Sequence, residues 1–481
     1  MTIPHLDSDT TFRRGPLAVL LTGIFLIVLD FFVVNVALPS VRRDLHAGST
    51  ALEWVVAGYG LTFGGLLLVA SRIADRWGRR RMFVLGVALF VVSSAACGVA
   101  PDVETLVVAR LVQGAAAAAI GPTVLSLIGD VYDGPHRTRA LGAYATVMGV
   151  AAALGQLLGG LLIHLDVAGT GWRSIFLVNV PIGLAALVAA PRLLPDIRFR
   201  AAPRVDPTEA LLVVGTLTAL VLPLVEGQRQ GWPLWTWLCL GSAAVLADLA
   251  WLRGRALRRR GTTPLVDPGA LRHRPVGVGL LGQAALFTGM AAYFLVLALY
   301  LQDGRGLGPL ASGAVFTIVA ATYMIGTRDA ATLLVRYGAR ATIGGGALVF
   351  GAGHLLLLAA VEHAGGAVLW LVPGLAVGGL GMGVALSALI GTVLGAVDPR
   401  DAGTVSGTAS TVQQVGNALG VALVGIIFFG RVEEGIVEAF AASLVYLTAT
   451  TVVVAVAAAF LPGLSGARQS ANASSSSSAA A

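Results

Sequence analysis

An all-α integral membrane protein is what this chain of 481 residues predicts, and three observations predict it. Apolar blocks of about twenty residues recur from end to end, each long enough to cross about 30 Å of hydrocarbon as a helix. The chain is 56% hydrophobic and only 12% charged, against about 25% charged in soluble domains. A water-soluble fold of this length has no room to bury so much apolar surface, so lipid is the expected solvent. The charges, finally, gather between the blocks rather than inside them.

The first block, 16–39, is broken only by Thr22, Asp30 and Asn35. It exceeds the 7–15 residues of a signal-peptide core, and no small-x-small cleavage site follows it, so an uncleaved span is expected. The second, 51–70, leads into an arginine-rich loop turned at Gly78. Blocks at 82–100 and 103–129 follow, the latter carrying Arg110. The block 139–163 holds the small-residue run Gly155-Gln156-Leu157-Leu158-Gly159-Gly160, and 174–191 completes a set of six. Two more lie at 208–226 and 233–252. Six others fall at 276–301, 309–335, 341–361, 367–395, 403–430 and 438–461, giving fourteen in all.

All 32 basic residues are arginine. With both termini inside, 24 of them fall in cytoplasmic segments, including Arg79, Arg80, Arg81, Arg258, Arg259 and Arg260, and six fall outside. Arg110 and Arg328 lie within blocks. Such asymmetry is the positive-inside rule, so the basic balance reports topology rather than a nucleic-acid surface. The expected location is the plasma membrane. Cys97 and Cys239 fall in separate helices without metal-ligand spacing and read as buried apolar side chains.

Two internal echoes indicate a duplication. Asp75-Arg76-Trp77-Gly78-Arg79-Arg80 resembles Val335-Arg336-Tyr337-Gly338-Ala339-Arg340, at an offset of 260 residues. Thr146-Val147 with Ala153-Leu154-Gly155 resembles Thr411-Val412 with Ala418-Leu419-Gly420, at 265. Six helices fill about 190 residues, so the remaining offset accommodates two inserted helices. The expected organisation is a cytoplasmic N-terminus (1–15), a six-helix bundle (16–192), two inserted helices (193–253), a cytoplasmic loop (254–275), a second six-helix bundle (276–462) and a disordered tail (463–481). Parallel repeats of this kind place a site between the bundles near the midplane.

Several motifs then converge on one family. The first block reads Leu29-Asp30-Phe31-Phe32-Val33-Val34-Asn35-Val36-Ala37-Leu38-Pro39, and Trp54 and Tyr59 follow in the second. The loop reads Ser71-Arg72-Ile73-Ala74-Asp75-Arg76-Trp77-Gly78-Arg79-Arg80-Arg81, and the fourth block carries Arg110-Leu111-Val112-Gln113-Gly114. Trp172-Arg173, Phe176 and Asn179-Val180-Pro181-Ile182-Gly183 mark the sixth block, and Ala402-Gly403, Ser406-Gly407, Gln414 and Gly416 the thirteenth. Together these resemble the major facilitator superfamily, and within it the fourteen-helix drug:proton antiporters. The antiporter motif of the fifth helix is present with Gln156 in place of its proline, a residue that favours a bend. Gly155 and Gly159, four apart, keep a face for close helix packing.

The resemblance implies proton-coupled export of lipophilic or amphipathic small molecules, with a specific metabolite carrier or uptake symporter of the same fold as the alternative. The residues add their own argument. Asp30 lies about 21 Å beyond Pro16 at 1.5 Å per residue, and Arg110 about 10 Å inside the outer end of its helix, so the two share a depth. Opposite charges at one depth can neutralise each other, the usual condition for burying either. Asp30 is therefore expected to bind and release the driving proton, with Arg110 favouring its charged form until the pair separates. A static structural pair, or Asp30 hydrogen-bonded to Asn35 and solvated, is the alternative.

Asp75, Arg76, Gly78, Arg79 and Arg80 read as a cytoplasmic gating loop, a latch that the second copy lacks because Val335 replaces the aspartate. Candidate cavity residues are Asn35, Gln113, Tyr293, Gln414 and Asn417, with Phe294, Tyr323, Gln156, Gln283 and Gln413 as further polar or aromatic groups. Arg328-Asp329 reads either as a self-neutralised pair or as part of the path. His354, Glu362 and His363 show no metal geometry and read as solvated. Gly277-Val278-Gly279-Leu280-Leu281-Gly282 matches a dinucleotide fingerprint literally but opens a helix with no strand before it. No phosphate-binding loop, zinc motif or serine nucleophile elbow is present. The expectation is thus a non-enzymatic monomer with no cofactor or metal, acting on a small molecule and protons in the bilayer.

Overall fold

The computed structural model describes residues 14–196, 205–227, 229–262, 264–265, 274–363, 368–396 and 402–461, and every regular element among them is helical. Helices are the form in which an apolar chain can satisfy its backbone hydrogen bonds without water. In order they are α1 (Arg14–Asp44), α2 (Ser49–Trp77), α3 (Arg79–Gly98), α4 (Val103–Val131), α5 (Gly134–Leu165), the single turn α6 (Ser174–Leu177) and α7 (Asn179–Leu193). Then come α8 (Pro207–Glu226), α9 (Leu234–Arg259), α10 (Arg274–Leu299), α11 (Pro309–His363), α12 (Val368–Gly395), α13 (Ala402–Arg431) and α14 (Ile436–Ala459). The expected N-terminal extension up to Arg13 and the expected disordered tail lie outside the described residues.

Among the described residues, twelve helices are long and apolar enough to cross a membrane, or 13 with the bent α5. The 14 expected spans are reached only by dividing α11. Its 55 residues would measure about 82 Å, far beyond one bilayer. It breaks at Gly338, where φ is 79° and ψ 169°, a conformation open to glycine and strained for other residues. At the matching point of the repeat, Gly78 separates α2 from α3 with φ 116°. The arginine-rich stretch before Gly78, expected as loop, is helical up to Trp77. An α-helix continues beyond the lipid because its ladder needs no apolar surroundings, and only the glycine stops it.

α5 is bent by 44° between Arg139–Ala152 and Leu154–Leu165. The bend is present although Gln156 replaces the expected proline; it falls next to Gly155, and glycine is another recognised site of helix kinking.

The first half packs α1 against α5, α7 and α4, with α3 between α4 and α7. In the second half, α11 packs on α12 and α14, and α10 on α13 and α14. The halves meet along α2 with α13, α5 with α11, and α1 with α10. The inserted pair α8–α9 lies over the α2–α13 seam, α8 touching both helices. Asp206 caps α8 by accepting from the Glu209 amide at 2.8 Å and clasps Arg253 of α9 at 2.6 Å. Arg253 and the helix N–H groups hold the Asp206 carboxyl below the usual carboxylate range.

Candidate functional site

Asp30 is 0% exposed, in the middle of α1. Its Oδ2 is paired with Arg110 Nη1. Oδ1 accepts from Gln113 Nε2 at 2.9 Å and from Asn179 Nδ2 at 3.1 Å. Those two amides also donate to Ser94 Oγ, at 2.7 and 3.2 Å. Arg110 gives Nε to the Val55 carbonyl at 2.9 Å and Nη1 to Gln113 Oε1 at 2.7 Å, and its guanidinium lies 4.3 Å from the centre of the Tyr59 ring. One ion pair thus gathers α1, α2, α3, α4 and α7. Each ionised group has several partners, the condition under which a buried pair is tolerated. Asn35, one turn along, donates instead to carbonyls of its own helix, Phe31 and Phe32.

Beside this cluster, between the halves, is a cavity of about 950 Å³. Its walls are aromatic and thioether (Phe31, Phe63, Phe294, Phe316, Tyr323, Met382), with Gln156, Gln413, Gln414 and Asn417 as polar points. Asp75, Arg72, Arg79, Arg137 and Arg328 line its mouth. Asp30 and Arg110 do not reach it. Tyr59, fully buried, packs 6.3 Å from Phe31 and 5.9 Å from Phe63, both wall residues, with Arg110 against its own ring. The tyrosine therefore stands between cavity and ion pair.

Of the expected cavity residues, Gln414 and Asn417 line it, whereas Asn35, Gln113 and Tyr293 do not. Gln113 belongs to the Asp30 cluster. Tyr293 is packed inside the second half against Phe350 and His354. His354, expected to be solvated, is fully buried there, because α11 turns it into the bundle rather than to its outer end. Glu362 is exposed, and the His363 side chain lies outside the described residues. Arg328 lines the mouth, and among the described residues neither it nor Asp329 has an ion-pair partner. Cys97 is buried but Cys239 only partly, since α9 lies at the periphery. Gly279 and Gly282 of the dinucleotide look-alike serve helix packing, meeting Val393 and Leu389.

The Asp75 turn is tied within the first half. Arg79 Nη2 donates to Asp75 at 2.8 Å and Nη1 to Asp130 of α4 at 2.6 Å. Arg80 reaches the Leu194 carbonyl at 3.1 Å and Asp196 at 3.4 Å, while Arg76 is exposed. These bonds of Asp75, Arg79 and Arg80 all lie within the first half or the segment that follows it. The opposite end is closed between halves. There Gln302 Nε2 donates to the Val36 carbonyl at 2.8 Å, and Arg42 lies 4.0 Å from Asp303. Gly155 and Gly159 seat α5 on Phe32 and Val33 of α1, while Gly160 lies against the Pro309 carbonyl. A Cβ on Gly313 would lie 2.5 Å from the Gln156 carbonyl. Glycines thus let α5 and α11 touch at that end, and the two diverge toward Met148 and Tyr323 on the cavity wall.

Sequence reading gave no site role to Ser94, Asp130, Asn179, Glu53 or Glu226. The signal for most was present: a polar or acidic side chain inside an apolar block.

A 20–421 segment of the chain matches the family model described as Major Facilitator Superfamily. The chain is 39% identical over 421 residues to a probable actinorhodin transporter of Streptomyces coelicolor, covering 87% of this chain and 73% of that protein. It is 38% identical over 425 residues to the puromycin resistance protein pur8 of Streptomyces alboniger, covering 87% and 82%. Among solved structures, an auto-inhibited POT family peptide transporter superposes with a TM-score of 0.69 at 16% identity, over 93% of this chain and 97% of that one. A D-xylose-proton symporter gives 0.65 at 13% identity, over 94% and 98%. Two helical halves around a central cavity, with matches over nearly the whole sequence, make this chain a member of the Major Facilitator Superfamily of membrane transporters.

Proposed function

We propose that the protein exports lipophilic or amphipathic small molecules, of the antibiotic class named for its relatives, in exchange for protons. The observation that carries the reading is an aromatic-walled cavity set against a fully buried Asp30–Arg110 pair, with Tyr59 between them. The arginine asymmetry supports a cytoplasmic position for the Asp75 turn, so the cavity mouth faces the cytoplasm and the Gly160–Pro309 end is the outer gate. Relatives named as a probable actinorhodin transporter and a puromycin resistance protein support export.

In this reading a proton delivered to Asp30 from the outer side neutralises the carboxylate and frees Arg110 from it. Gln113 and Asn179 hold the carboxyl group in place through both states. Loss of the pair loosens α1 from α4, and the halves rock so that the cavity changes sides. A proton moving inward across a 100 mV potential supplies about 2.3 kcal/mol.

Asp30→Asn protein in proteoliposomes with an imposed pH gradient is expected to lose uphill export while still binding substrate. Uphill export that persists in that variant removes the proposed coupling. Gln156, its amide facing the cavity without a partner, favours a specific polar substrate as the second reading. Proton flux measured in vesicles of known orientation separates the two: outward substrate movement with inward protons for the exporter, both inward for a symporter.

A further inference from the structure

We propose that Glu53, faced by Glu226, is a second proton-binding site, which takes up a proton as the gate opposite the Asp75 turn closes. The inference rests on the proton-coupled reading above but concerns a different carboxyl group, at the seam between the halves.

Glu53 is the fifth residue of α2 and is 4% exposed. Among the described residues no hydrogen bond or ion pair reaches its carboxyl group. Its head lies on bare backbone of α13: a Cβ on Gly425 would sit 2.5–2.7 Å from its carboxyl atoms. Glycine there is what makes room for an acidic head between two helices of opposite halves.

The charged groups around it offer no cation. From α8, Glu226 faces it, fixed by Trp54 Nε1 at 2.7 Å. From α4, Arg110 is committed to Asp30 and the Val55 carbonyl. At this end of α1, Arg42 lies near Asp303, Arg43 is 3.4 Å from Ser40 Oγ, and Asp44 accepts from Trp172 at 2.9 Å and pairs with Arg173. α13 presents glycine, and the arginines of α3 stand at its far end.

A negative charge there would have little water and no protein donor, and would lie close enough to a second carboxylate, Glu226, to be repelled by it. Buried carboxyl groups in that position share a proton rather than both ionise. When α2 and α13 part, Glu53 meets solution and can give its proton up; when they close, it must take one. The bound species is a carboxyl O–H, and water is the donor and acceptor. The inserted helices thereby gain a task, since α8 carries Glu226 to the seam.

The test is thiol labelling of a Ser312→Cys, Cys239→Ala protein in lipid nanodiscs across pH. Ser312, fully buried next to Gly313, becomes reachable when this gate opens. Labelling rates, divided at each pH by those of an exposed Glu433→Cys control to remove the thiol's own pH dependence, are expected to rise with pH, approaching tenfold per pH unit in the titrating range, and to become flat and low once Glu53→Gln is added. Glu226→Gln is expected to move the rise to lower pH. As a readout independent of labelling, the infrared band of a protonated carboxyl group is expected in Asp30→Asn protein and lost when Glu53→Gln is added. Flat labelling in the parent protein, an unchanged pH profile in Glu53→Gln, or no loss of the band overturns the site. Any of these together with lost uphill export in Asp30→Asn leaves the transport reading standing.

Discussion

At the scale of single residues, the Asp30–Arg110 pair is held by interlocking donors rather than by charge alone. Arg110 has a carbonyl, an amide oxygen, a carboxylate and an aromatic face, all within the first half. Removing it leaves the aspartate buried with amide partners and no cation. Breaking a buried pair from one side costs about 3–5 kcal/mol. Arg110→Ala is therefore expected to lower the thermal unfolding midpoint of purified protein markedly, and Asp30→Asn/Arg110→Ala to recover part of the loss. A double variant no more stable than Arg110→Ala would show that lost packing, not the stranded charge, sets the cost. Asn179 and Ser94 belong to the same network although they are 149 and 85 residues away from their partners in sequence.

Helices, taken as elements, meet here through glycine. α5 uses Gly155 and Gly159 against α1 and Gly160 against α11, so one short run serves both the interior of a half and the contact between halves. The Cβ of any other residue at Gly160 would also press on Leu310 Cα, at 2.8 Å. Backbone cannot yield as a side-chain tip does, and overpacking of this kind costs about 1–3 kcal/mol. Gly160→Leu is expected to open the gate near Pro309, raising labelling of the Ser312→Cys protein several-fold at fixed pH. Labelling unchanged by the substitution would mean that this contact does not hold the gate. The 44° bend of α5 helps to part α5 and α11 at the other end, and it arises without proline.

For the whole molecule, the arrangement is one of opposite ends: closed at Gln302–Val36 and Gly160–Pro309, open at the Asp75 turn. In this state Arg79 joins Asp75 to Asp130 within one half, and these residues line or border the mouth, the contacts a latch there would use. Closure of the mouth would bring α11 and α13 toward it and exchange those partners. Asp75→Ala is expected to cut export severalfold while membrane insertion stays normal, measured by vesicle transport normalised to protein in the membrane. Normal turnover would refute the latch. Among the described residues that line it, the mouth carries Arg72, Arg79, Arg137 and Arg328 against Asp75, with Asp130 behind Arg79, a basic excess that disfavours multiply cationic substrates.

The sequence by itself carried where each helix lies along its axis: apolar length gave the spans, arginine counts gave the expected sides, and distance from Pro16 gave the depth of Asp30 beside Arg110. It also carried the duplication, which reappears as two glycine breaks, Gly78 and Gly338. Only the tertiary structure decided which way each helix faces. Asp30 turns toward α3, α4 and α7 while its neighbours Phe31 and Phe32 line the cavity; His354 and Tyr293 turn inward; Glu53 comes to rest on Gly425. The physical reason is that lipid and protein interior are equally apolar. Hydrophobicity along such a helix reports depth and is nearly silent about direction, which is fixed by where small residues permit approach and where polar groups from distant segments meet.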